Sequence, residues 1–336
     1  MLFVLAALTA IVAIGIGYQI VQSAADVRRF PPPGRLVEIA PGRRLHVDCR
    51  GAGEPVVILE AGIAASSLSW SRVQPRVAEF TRVCSYDRAG LAWSEIADPP
   101  YTAMHMADQL HALLTAMRLP RRYVLVGHSF GGFVVQAFAG KYRDEVAGLV
   151  LVDTIYPAEW TAMTSPQRFR LRGGVFLSRI GGLLARVGLV RACLTLLARG
   201  STGVPQIVAR LFGSEANQFL ERIVGEVQKL PADLWPSVRS HWSQPKCFVS
   251  MAGHLGSLTK SAAEIAGCDG AFGDLPMVVI SAESQPAACK AEHARLAARS
   301  TRGRHLVAAR TGHWVHLDDP DLVVQSIRHV VDLARQ

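Results

Sequence analysis

The chain has 336 residues, half of them apolar, with a formal net charge of +9 carried mostly by arginine. That length suits one large domain or two small ones and supplies ample apolar surface for a buried core. The arginines are scattered, densest at 28–50 and 168–199. They lack the aromatic-interleaved stripe of a nucleic-acid binder, so no nucleic-acid partner is expected.

The chain opens on an apolar run. Leu2 through Gly17 is almost free of polar side chains, and Tyr18–Val21 extends it to about 20 residues, enough to cross a bilayer. No Lys or Arg precedes the run, whereas a secretory signal usually begins with a basic stretch. Residues 1–25 therefore read as an uncleaved membrane anchor. The alternative is a signal cut at the small residues Ser23-Ala24-Ala25, which would give a secreted protein. Arg28 and Arg29 on the C-terminal flank predict a cytoplasmic catalytic domain. Residues 26–35, with Pro31-Pro32-Pro33-Gly34, read as a stiff, extended spacer.

Short strand-like runs follow. Leu36–Ile39 and Leu45–Cys49 are joined by the turn signal Pro41-Gly42, and Val56–Leu59 is a continuous apolar run. Arg82–Tyr86, Tyr123–Val126, Leu149–Val152, Met277–Ile280 and His305–Ala308 are further candidates. Between them Met106, Leu110, Leu113, Leu114 and Met117 mark one face of a helix. Val323, Ile327, Val330 and Val331 mark another, with Asp319 as cap and Pro320 at its first position. Strands alternating with helices imply an α/β protein with a mostly parallel central sheet flanked by helices. The alternation stops after Asp153. Residues 155–273 read as a helical cap inserted into a core made of 26–154 and 274–336. Within the cap, Val175–Leu197 is apolar but for Arg179, Arg186 and Arg191, a composition suited to covering a pocket or touching a bilayer.

The chemistry centres on Gly127-His128-Ser129-Phe130-Gly131-Gly132. The string alone occurs often by chance, but here it sits between a strand and a helix-forming segment. Such a strand-to-helix elbow forces the serine into strained geometry at the carboxyl end of the sheet, where ligands of open α/β sheets bind. A serine hydroxyl needs a base. Gly312-His313-Trp314 follows the last predicted strand and precedes the last helix, so His313 opens on the same edge. His316 is its nearest rival and reads as structural; His128, beside the serine, should point elsewhere. The six cysteines show no C-x-x-C and no metal-ligand spacing. Neither metal nor cofactor is implied, and the cysteines decide neither disulfides nor compartment.

From about Pro31 to Gln336 the chain resembles the α/β-hydrolase superfamily, in its serine-nucleophile, lidded esterase or lipase branch. Glu60-Ala61-Gly62-Ile63 stands where that family carries its oxyanion loop. Tyr86-Asp87-Arg88-Ala89-Gly90 resembles its D-R-x-G turn, followed by the elbow, the helical lid and G-H-W. The resemblance implies an oxyanion hole made by the backbone N–H groups of Phe130 and Ile63. It places the usual acid at Gln285, which is no acid. Two carboxylates keep the order Ser, acid, His: Asp153, at the end of the preceding strand, and Glu283. Asp153 is preferred. Asp87 and Arg88 read as pins of their turn. Ser129 argues against the family's dehalogenase and epoxide-hydrolase branches, which place a carboxylate at the elbow. The expected activity is hydrolysis of a carboxylic ester of an apolar, lipid-like small molecule, with amide, peptide or thioester cleavage, or ligand binding without turnover, as alternatives.

Overall fold

The computed structural model describes residues 2–96, 98–199, 227–268, 270 and 272–336. Eight strands form one sheet: β1 (Arg35–Ala40), β2 (Arg43–Arg50), β3 (Val57–Glu60), β4 (Val83–Tyr86), β5 (Tyr123–His128), β6 (Val146–Val152), β7 (Met277–Ala282) and β8 (Gly303–Ala308). Their order is β1-β2-β4-β3-β5-β6-β7-β8. β1 pairs with β2, and β2 with β4, antiparallel; every other pairing is parallel. The short connection at Gly42 permits the hairpin, and each parallel step is bridged by a longer crossover.

The inner strands are buried on both faces, which is why they read as unbroken apolar runs. Successive side chains alternate between two cores. Tyr123, Leu125, Leu149, Leu151, Met277 and Val279 join the helices Ala103–Ala116 and Gly131–Lys141 in one core. Val124, Val126, Val150, Val152, Val278 and Ile280 join the C-terminal helix Pro320–Ala334 in the other. Each fully buried Val, Leu or Ile stabilises the fold by about 1.5–3 kcal/mol. Asp319 starts that last helix as the sequence suggests, its carboxylate accepting from Leu322 N at 3.0 Å.

Between Asp153 and Gly273 the described residues form helices and no named strand. The short helix Pro157–Thr161 leads into the cap; Ser165–Arg186 and Leu189–Ala198 meet at 93° around Gly188, and Trp235–Trp242, Pro245–Gly256 and Leu258–Gly267 follow. The sequence-defined cap also spans 200–226, which lies outside the described residues.

The start of the chain departs from its reading as an anchor followed by an extended spacer. One helix runs from Leu2 to Arg29, so residues 26–29 are helical and the non-helical link to β1 begins at Phe30. Nothing before Pro31 breaks the helix, and the residue preceding a proline is driven out of the helical region. A helix of this length is about 42 Å long. It is the one helix among the described residues that by itself is long and apolar enough to cross a membrane. Its second half leans on the cap. Gln19 donates to Ser243 O at 3.0 Å, and buried Arg191 pairs with buried Asp26. A disulfide also joins Cys49 to Cys84, which face each other across β2 and β4. The cysteine count alone left this pairing open.

Candidate active site

β5 runs into the helix Gly131–Lys141 through a single tight turn, and Ser129 sits at its apex with φ +55°. A non-glycine residue held there stores about 1–3 kcal/mol of strain. The turn is over-determined by its neighbours: Ser129 N donates to Val152 O at 3.1 Å, while Ser129 O accepts from Gly132 N at 3.0 Å. Gly131 is required for clearance, since a Cβ there would lie 2.5 Å from Ala61 O and 2.6 Å from Glu60 O. The serine is partly exposed, whereas the elbow around it is buried.

β6 lies beside β5 and ends one residue before Asp153, which has φ +43°. Its buried carboxylate accepts from Ala282 N (2.9 Å) at Oδ1, and from Gln285 Nε2 (2.6 Å) and His313 Nδ1 (2.6 Å) at Oδ2. Burial pushes the pKa of Asp153 up. The hydrogen bond and charge of His313, with help from Ala282 and Gln285, outweigh burial and hold the carboxyl below its usual range. Glu283 is exposed and faces away, accepting from Arg310 N. Of the two carboxylates weighed from the sequence, the structure brings Asp153 to His313 and leaves Glu283 apart. His313 itself is about one-third exposed, and its ring lies 4.8 Å from that of His128, the residue before Ser129.

The segment Ala61–Ile63 covers the serine. A Cβ on Gly62 would lie 3.4 Å from Ser129 Cβ, so this glycine lets the loop approach. Neither Ile63 N nor Phe130 N donates to another group among the described residues, leaving both free for a ligand oxygen. The loop is held from behind. Arg88 Nη1 donates to Glu60 Oε1 (2.5 Å) and Ala61 O (2.7 Å), and Nη2 donates to Gly62 O. Tyr86 caps the other oxygen of Glu60, and all three side chains are buried. The sequence marked Arg88 as a pin of its own turn. Its reach to the carbonyls of the Ala61–Gly62 segment depends on β3 and β4 being neighbours, with Glu60 at the end of the one and the turn at the end of the other.

A family model described as the alpha/beta hydrolase fold matches residues 55–175, a segment that contains the loop, the D-R-x-G turn and the elbow. The chain has the α/β-hydrolase fold. It is 30% identical over 139 residues to a haloalkane dehalogenase of Sphingobium indicum, a match covering 40% of this chain and 46% of that one. The chain thus spans less than half the length of this curated relative. Among solved structures it is similar to a thermophilic esterase from Thermogutta terrifontis, with a TM-score of 0.62 and 21% identity over 89% of this chain and 97% of that one. It is likewise similar to an epoxide hydrolase, with a TM-score of 0.66 and 18% identity over 88% of this chain and 96% of that one.

In this α/β-hydrolase fold the other histidines near the site are buried supports. His128 Nε2 donates to His313 O at 2.9 Å and so steadies the loop that carries His313. His316 packs against Trp70 and His128, with neither ring nitrogen paired. Burial, then the charge of His313, pushes His316 down to about 3; burial pushes His241 down to about 4. Both are neutral in the folded chain at neutral pH. Below about pH 6.5 the unfolded chain binds a proton at each that the folded chain refuses, so stability falls as pH falls. The slope is about 1.4 kcal/mol per pH unit for each histidine, down to its folded pKa. Urea unfolding at pH 6.5 and pH 5 should show this loss, and His316→Leu should flatten it. An equal loss in both proteins would contradict the assignment. From the cap, Glu159 comes within electrostatic reach of His313 and Asp153, and burial pushes its carboxyl up. Sequence inspection gave no reason to single it out.

Proposed function

We propose that the protein is a serine hydrolase of carboxylic esters with an apolar acyl or alkyl part. The observation that carries this reading is the buried Asp153 carboxylate bonded to His313 Nδ1 beside the Ser129 elbow. Asp153 fixes the tautomer that leaves Nε2 free to take a proton, and it stabilises the imidazolium that results. Ser129 then attacks the carbonyl and forms an acyl-enzyme. The N–H groups of Ile63 and Phe130 receive the oxyanion, each such donor typically being worth about 2.7–4 kcal/mol in the transition state. His313 returns the proton to the leaving alcohol and next activates water. Half-buried Ile63 and Ile155 beside Ser129 supply apolar contact for the substrate. Amide or thioester cleavage would use the same groups. The dehalogenase and epoxide-hydrolase chemistries named for the relatives require a carboxylate where this chain has Ser129. Hydrolysis of p-nitrophenyl esters of graded acyl length tests the reading: turnover should rise from acetate to medium-length chains, and its absence on all of them would overturn it.

The same reading makes residues 1–25 a retained membrane anchor. Cutting after Ala25 would remove Gln19 and Ser23, two of the partners of buried Arg191. The Cys49–Cys84 disulfide favours an oxidising compartment, against the cytoplasmic side that Arg28 and Arg29 suggest. The disulfide carries more weight, because the charge signal is only two residues. Full-length protein should pellet with membranes and resist high-salt extraction, while a chain starting at Asp26 should be largely soluble. Residual binding by the shorter chain would point to exposed Phe176, Leu183, Leu189 and Leu196 of the cap. Full-length protein trimmed at Ala25 and wholly soluble would overturn the anchor.

A further inference from the structure

The N-terminal helix and the cap enclose a cavity of about 250 Å³, no part of whose wall belongs to the candidate active site. Tyr18, Asp26 and Arg29 line it from the helix, and Arg191, Arg199 and Arg239 line it from the cap. Four arginines thus share the cavity wall with one carboxylate, that of Asp26. Arg191 is already satisfied, by Asp26, by Gln19 Oε1 at 3.0 Å and by Ser23 Oγ at 3.4 Å. The guanidiniums of Arg29, Arg199 and Arg239 make no ion pair with any described residue. The helices Leu2–Arg29 and Leu189–Ala198 both end at this cavity, and their C-terminal dipoles account for roughly half a charge each. Among the described residues an excess of about two positive charges remains. Arginines at such a density, solvent-accessible and without an ion-pair partner among the described residues save for Arg191, suit a phosphate, whose oxygens accept the planar fork of donors in pairs.

Size and position narrow the ligand. The cavity is smaller than the roughly 300–1,000 Å³ of clefts that engulf whole small molecules, so it suits a headgroup better than an entire substrate. It begins at Tyr18, near the end of the apolar run, and reaches Arg29 about 16 Å further along the helix axis. Tyrosine and arginine in that order are the residues expected where hydrocarbon gives way to headgroups. We propose that this cavity binds the phosphate headgroup of an anionic phospholipid from the leaflet in which the helix ends. The proposal rests on the reading of residues 1–25 as a retained anchor. A bound headgroup would neutralise the arginines and tie the cap to the bilayer surface.

The test uses the full chain in mild detergent, mixed with equal amounts of phosphatidylglycerol and phosphatidylcholine, repurified, and its bound lipid quantified by mass spectrometry. The protein should retain phosphatidylglycerol over phosphatidylcholine by roughly ten-fold, as charge-assisted hydrogen bonds allow. Arg199→Gln/Arg239→Gln should bring the ratio near parity with ester turnover unchanged, since neither arginine touches the candidate active site. Equal retention of the two lipids by the unaltered protein, or an undiminished preference in the double variant, would overturn the proposal. Displacement of phosphatidylglycerol by millimolar inorganic phosphate would also overturn it, making the cavity a site for a soluble anion. Carbonate extraction of the same protein from membranes separates the two readings. Extraction into the soluble fraction would remove the anchor and the proposal together. Retention in the membrane without lipid preference would remove the headgroup site alone.

Discussion

Ser129→Ala and His313→Ala should each lower ester turnover by about four to six orders of magnitude, and the double variant should be scarcely worse than either. The nucleophile and its base act as one unit, so removing either leaves only binding and the oxyanion donors to accelerate the reaction. The fold should survive both changes. Ser129 is held by its backbone, whose bonds to Val152 O and Gly132 N do not involve the hydroxyl. His313 is partly exposed, so truncating it opens no sealed cavity. His316→Ala is the informative control. It removes a fully buried ring packed on Trp70 and His128, so it should cost stability while leaving turnover per folded molecule within a few-fold. Activity lost in His316→Ala but kept in His313→Ala would reassign the base.

Asp153→Asn should lower turnover by about four orders of magnitude, and Glu283→Gln by at most a few-fold. Every lone pair that Asp153 uses faces a donor: Ala282 N–H on one oxygen, Gln285 and His313 on the other. An asparagine turns one of those acceptors into a donor. If its amide nitrogen faces His313, the ring must present the other tautomer and loses its free basic nitrogen toward the serine. If it faces Ala282, a buried N–H is left unpaired, at a cost of about 1–3 kcal/mol. Rates on one ester must therefore be compared per folded molecule. Glu283 makes its contact with Arg310 N at the surface, and a glutamine oxygen can keep it. The opposite ranking would move the acid to Glu283. Near-normal rates in both variants would mean that His313 works without a carboxylate.

The strands were legible because a sheet buried on both faces needs short, unbroken apolar runs, and β5 through β7 are written that way. The elbow was legible because its glycines leave no room for a side chain: a Cβ on Gly131 would lie 2.5 Å from Ala61 O, and one on Gly127 2.7 Å from Gly131 O. The choice of acid was harder. β6 and β7 pair side by side, Val152 opposite Ile280, so carboxylates just beyond either strand open on the same edge. Only the positive φ at Asp153 and the outward turn at Glu283 separate them, and one-dimensional spacing carries neither. Gln285 is instructive in the same way. The amide at the family's usual acid position donates to the displaced acid, a relation visible only once the two strand ends are adjacent. The Cys49–Cys84 disulfide and the reach of Arg88 depend on strand neighbours 35 and about 26 residues apart in the chain. The docking of the first helix on the cap depends on the pair Arg191 and Asp26, 165 residues apart. Its apolar composition gave it the character of a membrane anchor or signal sequence and concealed the polar face that binds the cap.

Covalent labelling reads whether Ser129 is an activated nucleophile without knowledge of the substrate. Folded protein is treated with a fluorophosphonate, digested, and the adduct located by mass spectrometry. One fast-forming phosphonyl adduct is expected on Ser129, absent in Ser129→Ala and strongly slowed in His313→Ala and Asp153→Asn. Folded protein that stays unlabelled, or an adduct on a different residue, would contradict this role for Ser129.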